Sequence, residues 1–270
     1  MHLKYICGFI LYYSLASGSS SVPMNAHQAG LAGLGTTVKN SFSAFQNPSL
    51  SALSEHPSFC LGAENKYFIS ELQSYLFQGT IPIKSGSAIG VSGYRTGTKD
   101  FFERRLGVHY ARKLSGKLYG GIEIFHQLYK VNEGNYSPLG NWSGIIGVYS
   151  KPLPFLEVGA TLHNPANFHR KKYQPELLSP ALNLSVSWML STKLFMRIEL
   201  SQNAGHGTIL MNALEYKPGE RLIVRAGYKT NPSQPAFGFG LLVNKMKLDA
   251  ACMYHPVLGF YPSVSISQEL

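Results

Sequence analysis

Nine histidines and many serines give the chain the side chains of a hydrolase but not the spacing of one. A nucleophilic serine needs a sharp Gly-x-Ser-x-Gly elbow, or a comparable motif that sets it against His and Asp, and none is present. No His or Cys pair has the spacing of metal ligands. The run Gly30-Leu31-Ala32-Gly33-Leu34-Gly35 invites a phosphate-binding loop. Yet no strand precedes it, its spacing is not that of a dinucleotide fingerprint, and no acidic ribose partner follows. Gly30, Gly33 and Gly35 read better as places where backbone packs closely inside a tube. The sequence therefore predicts a protein that is not an enzyme and has neither cofactor nor metal.

The charged residues that stand out are Glu123, Glu157, Arg197, Glu199 and Arg225, because they fall on the wet faces of strand-like segments. Leu194, Met196, Ile198 and Leu200 oppose Arg197, Glu199 and Ser201. Leu222, Val224, Ala226 and Tyr228 oppose Arg221, Arg225 and Lys229. In a third segment Leu182, Leu184, Val186 and Trp188 oppose Asn183, Ser185 and Ser187. Strand side chains point to opposite faces in turn, so each segment has one greasy and one wet side. A helix would set Leu182 and Leu184 about 200° apart and make no stripe of them. From Ser58 to Gln268 about fourteen such segments follow one another, separated by Gly, Pro, Asn or Lys-Ser clusters. By the same parity His109 and His163 share the wet face and His126 takes the other.

Two architectures could use these strands. A soluble sandwich turns the greasy faces inward and leaves sheet edges. A membrane barrel inverts the polarity, so that the five charged residues look into a wet lumen, where they pair across it or tune what passes. Closure also satisfies every backbone group, which lipid demands. The composition favours the barrel: 44% hydrophobic, only 14% charged, with 16 Tyr and 27 Gly. So do aromatics expected at strand ends, namely Tyr67, Phe68, Tyr94, Tyr110, Tyr216, Tyr228 and Tyr254. Residues 1–18 read as a cleaved secretory signal: His2 and Lys4, an apolar run Tyr5 to Leu15, then Ala16-Ser17-Gly18. That run is too short to span a bilayer as a helix, which takes about twenty residues. Cleavage removes Cys7; Cys60 and Cys252 read as small apolar strand residues. The net charge of +10 is scattered, and its single run, His169-Arg170-Lys171-Lys172, sits in a Pro-flanked loop. That pattern suits anionic lipid head groups or a basic pore, not nucleic acid. The expectation is an all-β, transmembrane antiparallel barrel over 58–270, in the outer membrane of a Gram-negative bacterium and surrounded by its lipid.

Residues 19–57 do not alternate. After the glycine run comes Phe42-Ser43-Ala44-Phe45-Gln46-Asn47-Pro48-Ser49-Leu50-Ser51-Ala52-Leu53, where Asn47-Pro48 predicts a turn into a short helical stretch. A glycine-rich run followed by such a turn resembles the PorV/PorQ-like outer-membrane proteins of Bacteroidota, relatives of the FadL-type fatty-acid transporters. Three later stretches are similar to that family's closing strands: Arg225-Ala226-Gly227-Tyr228-Lys229-Thr230-Asn231-Pro232, Phe237-Gly238-Phe239-Gly240 and Tyr254-His255-Pro256-Val257-Leu258-Gly259. Ser49 stands where the family more often has Ala, and the chain lacks a terminal aromatic. The resemblance implies a fourteen-stranded barrel whose N-terminal segment, marked by Gly30, Gly33, Gly35, Asn47 and Pro48, folds inward as a hatch or plug. It also implies a scaffold in protein secretion of the type IX kind, with other secretion-system or outer-membrane proteins as partners. The alternative is a FadL-like passive channel for small hydrophobic molecules.

Overall fold

The computed structural model describes residues 22–84, 86–131, 137–165, 179–203 and 207–270. The expected signal and the Arg170–Lys172 loop lie outside them. Strand β4 (Phe101–Ser115) shows how the sequence builds the wall. Arg105, His109 and Ala111 are buried on its inward face, while Leu106, Val108 and Tyr110 are exposed on the outward one. This is the alternation of a strand whose apolar side faces outward and whose polar side faces in.

Thirteen further strands repeat it among the described residues: β1 (Ser58–Asn65), β2 (Gln73–Lys84), β3 (Ser87–Gly97), β5 (Leu118–Val131), β6 (Leu139–Leu153), β7 (Leu156–His163), β8 (Ala181–Ser191), β9 (Leu194–Asn203), β10 (Ile209–Tyr216), β11 (Leu222–Lys229), β12 (Gln234–Val243), β13 (Met246–His255) and β14 (Gly259–Glu269). Each pairs antiparallel with its neighbours in sequence. The sheet closes where β1 meets β14, from Ser58 opposite Glu269 to Glu64 opposite Ser263. The result is a closed antiparallel barrel of fourteen strands with no free edge. No helix among the described residues is long and apolar enough to cross a membrane.

Two details differ from the sequence reading. β1 stops at Asn65, so Tyr67 and Phe68, expected at a strand end, fall beyond it; they take left-handed backbone angles (φ 62° and 58°) that no strand accommodates. Tyr94 does not stand at a strand end facing the membrane boundary. It lies within β3 on the inward face, buried, with its hydroxyl on Glu103.

Connections alternate in length. Turns such as Thr192-Lys193 and Asn244-Lys245 close one end, and the longer links between β5 and β6 and between β7 and β8 fall at the other. Residues 22–57 precede β1 and pack against inward-facing side chains from strands all round the wall. They contain one short helix, α1 (Ala26–Gly30), and two 3-10 turns, Ser43–Phe45 and Pro48–Leu53. Apolar residues of this segment meet the few apolar patches of the inner wall. Leu31, Leu34 and Val38 pack with Met211 and Ala213, and Phe42 and Phe45 with Cys60, Leu76 and Tyr94. Burial of this kind is worth about 25 cal/mol per Å² of apolar surface, so the patches decide where the segment rests.

Candidate functional site

The site is the polar interior and the segment seated in it. Glu215 on β10 stands directly opposite Arg225 on β11, so both project inward at one level. Arg225 donates through Nε to Glu215 at 2.9 Å and through Nη1 to Asp249 of β13 at 2.7 Å. β12 lies between them, and Gly240 makes the reach possible. A Cβ there would fall 2.6 Å from Asp249 Oδ1 and 3.0 Å from Arg225 Nη2. Arg197 of β9 reaches the other oxygen of Glu215 at 3.5 Å, and Lys247 lies 3.5 Å from Asp249. Removing one partner from such a buried set leaves an uncompensated charge.

The segment plugs into this network through His27. Its Nε2 lies 2.9 Å from Glu215 Oε2, and its Nδ1 lies 2.8 Å from Lys247 Nζ. An ammonium only donates, so Nδ1 accepts and the ring is neutral. Burial first, then Arg225 and Lys247, hold the His27 pKa down to about 3. Asn25 caps α1 by accepting from the Gln28 N–H at 3.1 Å.

Elsewhere the wall grips the segment's backbone. Glu199 accepts from the N–H groups of Gly35 (3.2 Å) and Thr36 (2.9 Å). Glu64 accepts from the Met24 N–H at 2.8 Å and from the Tyr261 hydroxyl. Thr37 and Ser185 hydroxyls are 3.0 Å apart. Lys39 pairs with Glu157 at 3.3 Å.

Asn47 is the segment's central clamp. Its amide nitrogen donates to the Thr36 carbonyl at 2.8 Å and to the Val148 carbonyl of β6 at 3.1 Å. Its oxygen accepts from the Ser49 N–H at 3.1 Å and from the Ser49 hydroxyl at 2.6 Å. Pro48 occupies the first position of the following 3-10 turn, where a missing N–H costs nothing. The turn fits because Gly121 and Gly147 are paired on β5 and β6. A Cβ on Gly121 would fall 2.6 Å from the Pro48 carbonyl carbon, and one on Gly147 3.0 Å from Asn47 Cγ.

Of the charged residues singled out in the sequence, Arg197 and Arg225 converge on Glu215. Glu199 and Glu157 hold different parts of the segment. Glu123 stands apart, paired with Arg105 at 2.7 Å and bonded to Ser92. The Arg105 guanidinium also lies 3.6 Å from the centre of the Phe125 ring. Gly30, Gly33 and Gly35 fall close together in the chain but play separate parts. Gly33 takes φ +90°, Gly35 leaves room for Gln46, and Gly30 meets β12. Sequence reasoning missed His27, Glu215, Lys247 and Asp249. The inward parity of Glu215 and Asp249 was readable; their convergence depended on register.

His109 and His163 lie inward beside Thr80 (3.3 Å) and Thr161 (3.2 Å), and His126 lies outward against Trp142. No group of three His, Cys, Asp or Glu able to hold a metal occurs among the described residues. At the end with the longer loops a recess of about 190 Å³ adjoins the segment, with Met24, Ala32, Ile209 and Met211 on its apolar side and Asn183, Glu199 and Lys229 on its polar side.

No protein-family model matches the chain, and no curated protein does either. Solved structures do. The Pseudomonas putida toluene transporter TodX superposes with a TM-score of 0.68 at 11% identity, covering 92% of this chain and 98% of that one. A Pseudomonas aeruginosa FadL homologue gives 0.64 at 12% identity, covering 92% and 99%. The Acinetobacter baumannii outer membrane protein Omp33 gives 0.52 at 11% identity, covering 80% and 98%. At such identities the likeness is one of fold: this chain has the barrel of FadL-type outer-membrane channels. The neighbours lend nothing to the PorV/PorQ resemblance in particular.

Proposed function

We propose that the protein is a non-enzymatic outer-membrane channel that passes small hydrophobic molecules passively, with residues 22–57 acting as a hatch. The observation that carries this reading is the pairing of a FadL-type barrel with a lumenal segment held by reversible contacts. His27, Glu199, Glu64 and Asn47 seat it through polar contacts between neutral or singly charged partners, with no covalent tie to the wall among the described residues. The recess beside Met24 and Met211 is about 190 Å³. A dry cavity of about 150 Å³ holds a benzene-sized guest, so this volume suits a small ring or short chain. The long-loop end then faces the exterior and the short-turn end the periplasm, as is usual for such barrels.

The test is permeation. The purified barrel is inserted into lipid vesicles, and entry of a monoaromatic hydrocarbon is compared with that into protein-free vesicles. Faster entry supports the channel. Equal entry for the native protein and for variants with a weakened hatch contradicts it. The secretion-scaffold reading, with other outer-membrane or secretion-system proteins as partners, rests on the PorV/PorQ sequence resemblance and draws no support from the structural neighbours.

A further inference from the structure

The short-turn end of the barrel is ringed by cations that the channel does not use. Each of the five short turns from β4 round to β13 has a lysine in it or within three residues of it: Lys117, Lys151, Lys193, Lys217 and Lys245. Arg112, Lys113 and Arg221 stand at the same rim. Among the described residues none of these eight forms an ion pair. Lys117 donates to the Pro152 carbonyl near the end of β6 at 2.6 Å, and Lys113 and Lys217 lie over the rings of Tyr119 and Phe195. Glu220 of the β10–β11 turn and Glu269 at the end of β14 share this rim, but the eight cations outnumber them, and like charges gathered at one level repel unless further anions lie among them. At the same level the outer wall carries exposed apolar side chains, Leu114, Leu118, Leu153, Phe155 and Leu190. Cations running round the perimeter among exposed apolar side chains match a plane of anionic head groups and the first carbons below it; a docked protein would need them on one side only.

One place on the rim is shaped as a seat. A recess of about 540 Å³ on the outer wall is lined by Ile83, Ser87, Tyr110, Arg112, Lys113, Leu114 and Ser115. Arg112 has Ser87 beside it on β3 and Gly120 beside it on β5. Gly120 leaves room for Leu114, whose Cδ1 would stand 2.9 Å from a Cβ there. Cations and hydroxyls thus line the recess together with the exposed apolar side chains of Ile83 and Leu114. We propose that this recess binds an anionic phospholipid of the leaflet at the short-turn end. Arg112 and Lys113 take the phosphate, Tyr110, Ser87 and Ser115 supply hydroxyl donors, and Ile83 and Leu114 take the first carbons of the acyl chains. The remaining turn lysines hold further head groups of the same leaflet. A soluble phosphate would leave Ile83 and Leu114 without a role, so the source is lipid. The proposal rests on the membrane reading above and not on what the channel carries.

The experiment uses the full chain refolded into vesicles of phosphatidylcholine with a minor share of phosphatidylglycerol. Lipid that stays bound on transfer to mild detergent is counted by native mass spectrometry. Each variant is first shown to form a heat-resistant, protease-protected barrel in phosphatidylcholine alone. Native protein failing that step would overturn the membrane reading itself. Beyond it, the expected result is retention of phosphatidylglycerol over phosphatidylcholine that falls about fivefold for each of Arg112→Gln and Lys113→Gln. Arg112→Lys keeps most of the preference, and Ile83→Ser weakens retention with the cations intact. An unchanged lipid ratio in the double variant R112Q/K113Q would overturn the seat. So would displacement of the lipid by soluble glycerophosphoglycerol at matched concentration.

Discussion

Gly30 of the lumenal segment and Gly238 of β12 meet backbone to backbone. A Cβ on Gly30 would lie 3.0 Å from the Gly238 Cα, and one on Gly238 2.9 Å from the Gly30 Cα. This contact sets how deeply α1 sits against the wall, and therefore whether His27 reaches Glu215. Gly238→Val is expected to lift α1 at a cost of about 1–3 kcal/mol, the usual range for overpacking. The barrel itself persists, since Gly238 keeps its strand partners Arg225 and Ala251. Limited proteolysis checks this: cleavage within residues 22–57 rises while the barrel fragment stays intact.

Asn47→Ala removes the clamp between the segment and β6. The lost cap on Ser49 costs about 1 kcal/mol. The Thr36 and Val148 carbonyls lose a donor, which adds roughly 1–3 kcal/mol. Thermal melting in detergent reads the sum, with Asn47→Asp as comparison. Aspartate keeps the cap oxygen but not the amide donor, so it restores only part of the loss.

Glu215→Ala leaves Arg197 and Arg225 facing each other, with Asp249 as the remaining acid. Breaking a buried ion pair from one side costs about 3–5 kcal/mol. The expected outcome is a barrel of lower melting temperature whose segment is protease-sensitive. The double variant E215A/R197A recovers part of it by removing one stranded cation.

Acid is expected to unseat the segment through His27. The residue faces Glu215 from β10, Arg225 from β11, Lys247 and Asp249 from β13, and Arg197 from β9. Its pKa is held down to about 3 when seated, by burial above all, and lies near 6.5 once the ring reaches water. A depressed pKa contributes stability that is complete above 6.5 and is lost as pH falls toward 3. The slope is about 1.4 kcal/mol per pH unit across that window. Protonation also removes the lone pair that accepts from Lys247. Segment protection from protease should thus fall between pH 6.5 and 4 in the native chain. His27→Gln should show a flatter profile over the same range.

The strands were legible because their inward and outward residues differ in kind. Leu194 to Ser201 and Leu222 to Tyr228 each declare a face, and fourteen such segments imply closure. The ends of strands were not legible, because they depend on backbone angles such as those of Tyr67 and Phe68. Tyr94 misled because an aromatic carries no mark of which face it serves; its hydroxyl bond to Glu103 decides it. Glu215, Arg225 and Asp249 lie 10 and 24 positions apart in the chain, and only the register of β10 through β13 brings them onto one level. Nor could the glycine run disclose its partners. Gly30 depends on Gly238, more than 200 residues away, and Asn47 on the Gly121–Gly147 notch.

The central claim, a passive channel with a movable hatch, is tested most directly by tethering that hatch. Thr37 and Ser185 place their hydroxyl oxygens 3.0 Å apart across the segment and β8. Cysteines at both positions, in a chain with Cys60 and Cys252 replaced, would lock the segment to the wall on oxidation. The measurement is the rate at which a monoaromatic hydrocarbon enters vesicles carrying this protein, before and after reduction. The account predicts slow entry when oxidised and faster entry when reduced, matching the chain without the tether. Entry at the same rate in both states, or no entry above protein-free vesicles in either, would contradict it.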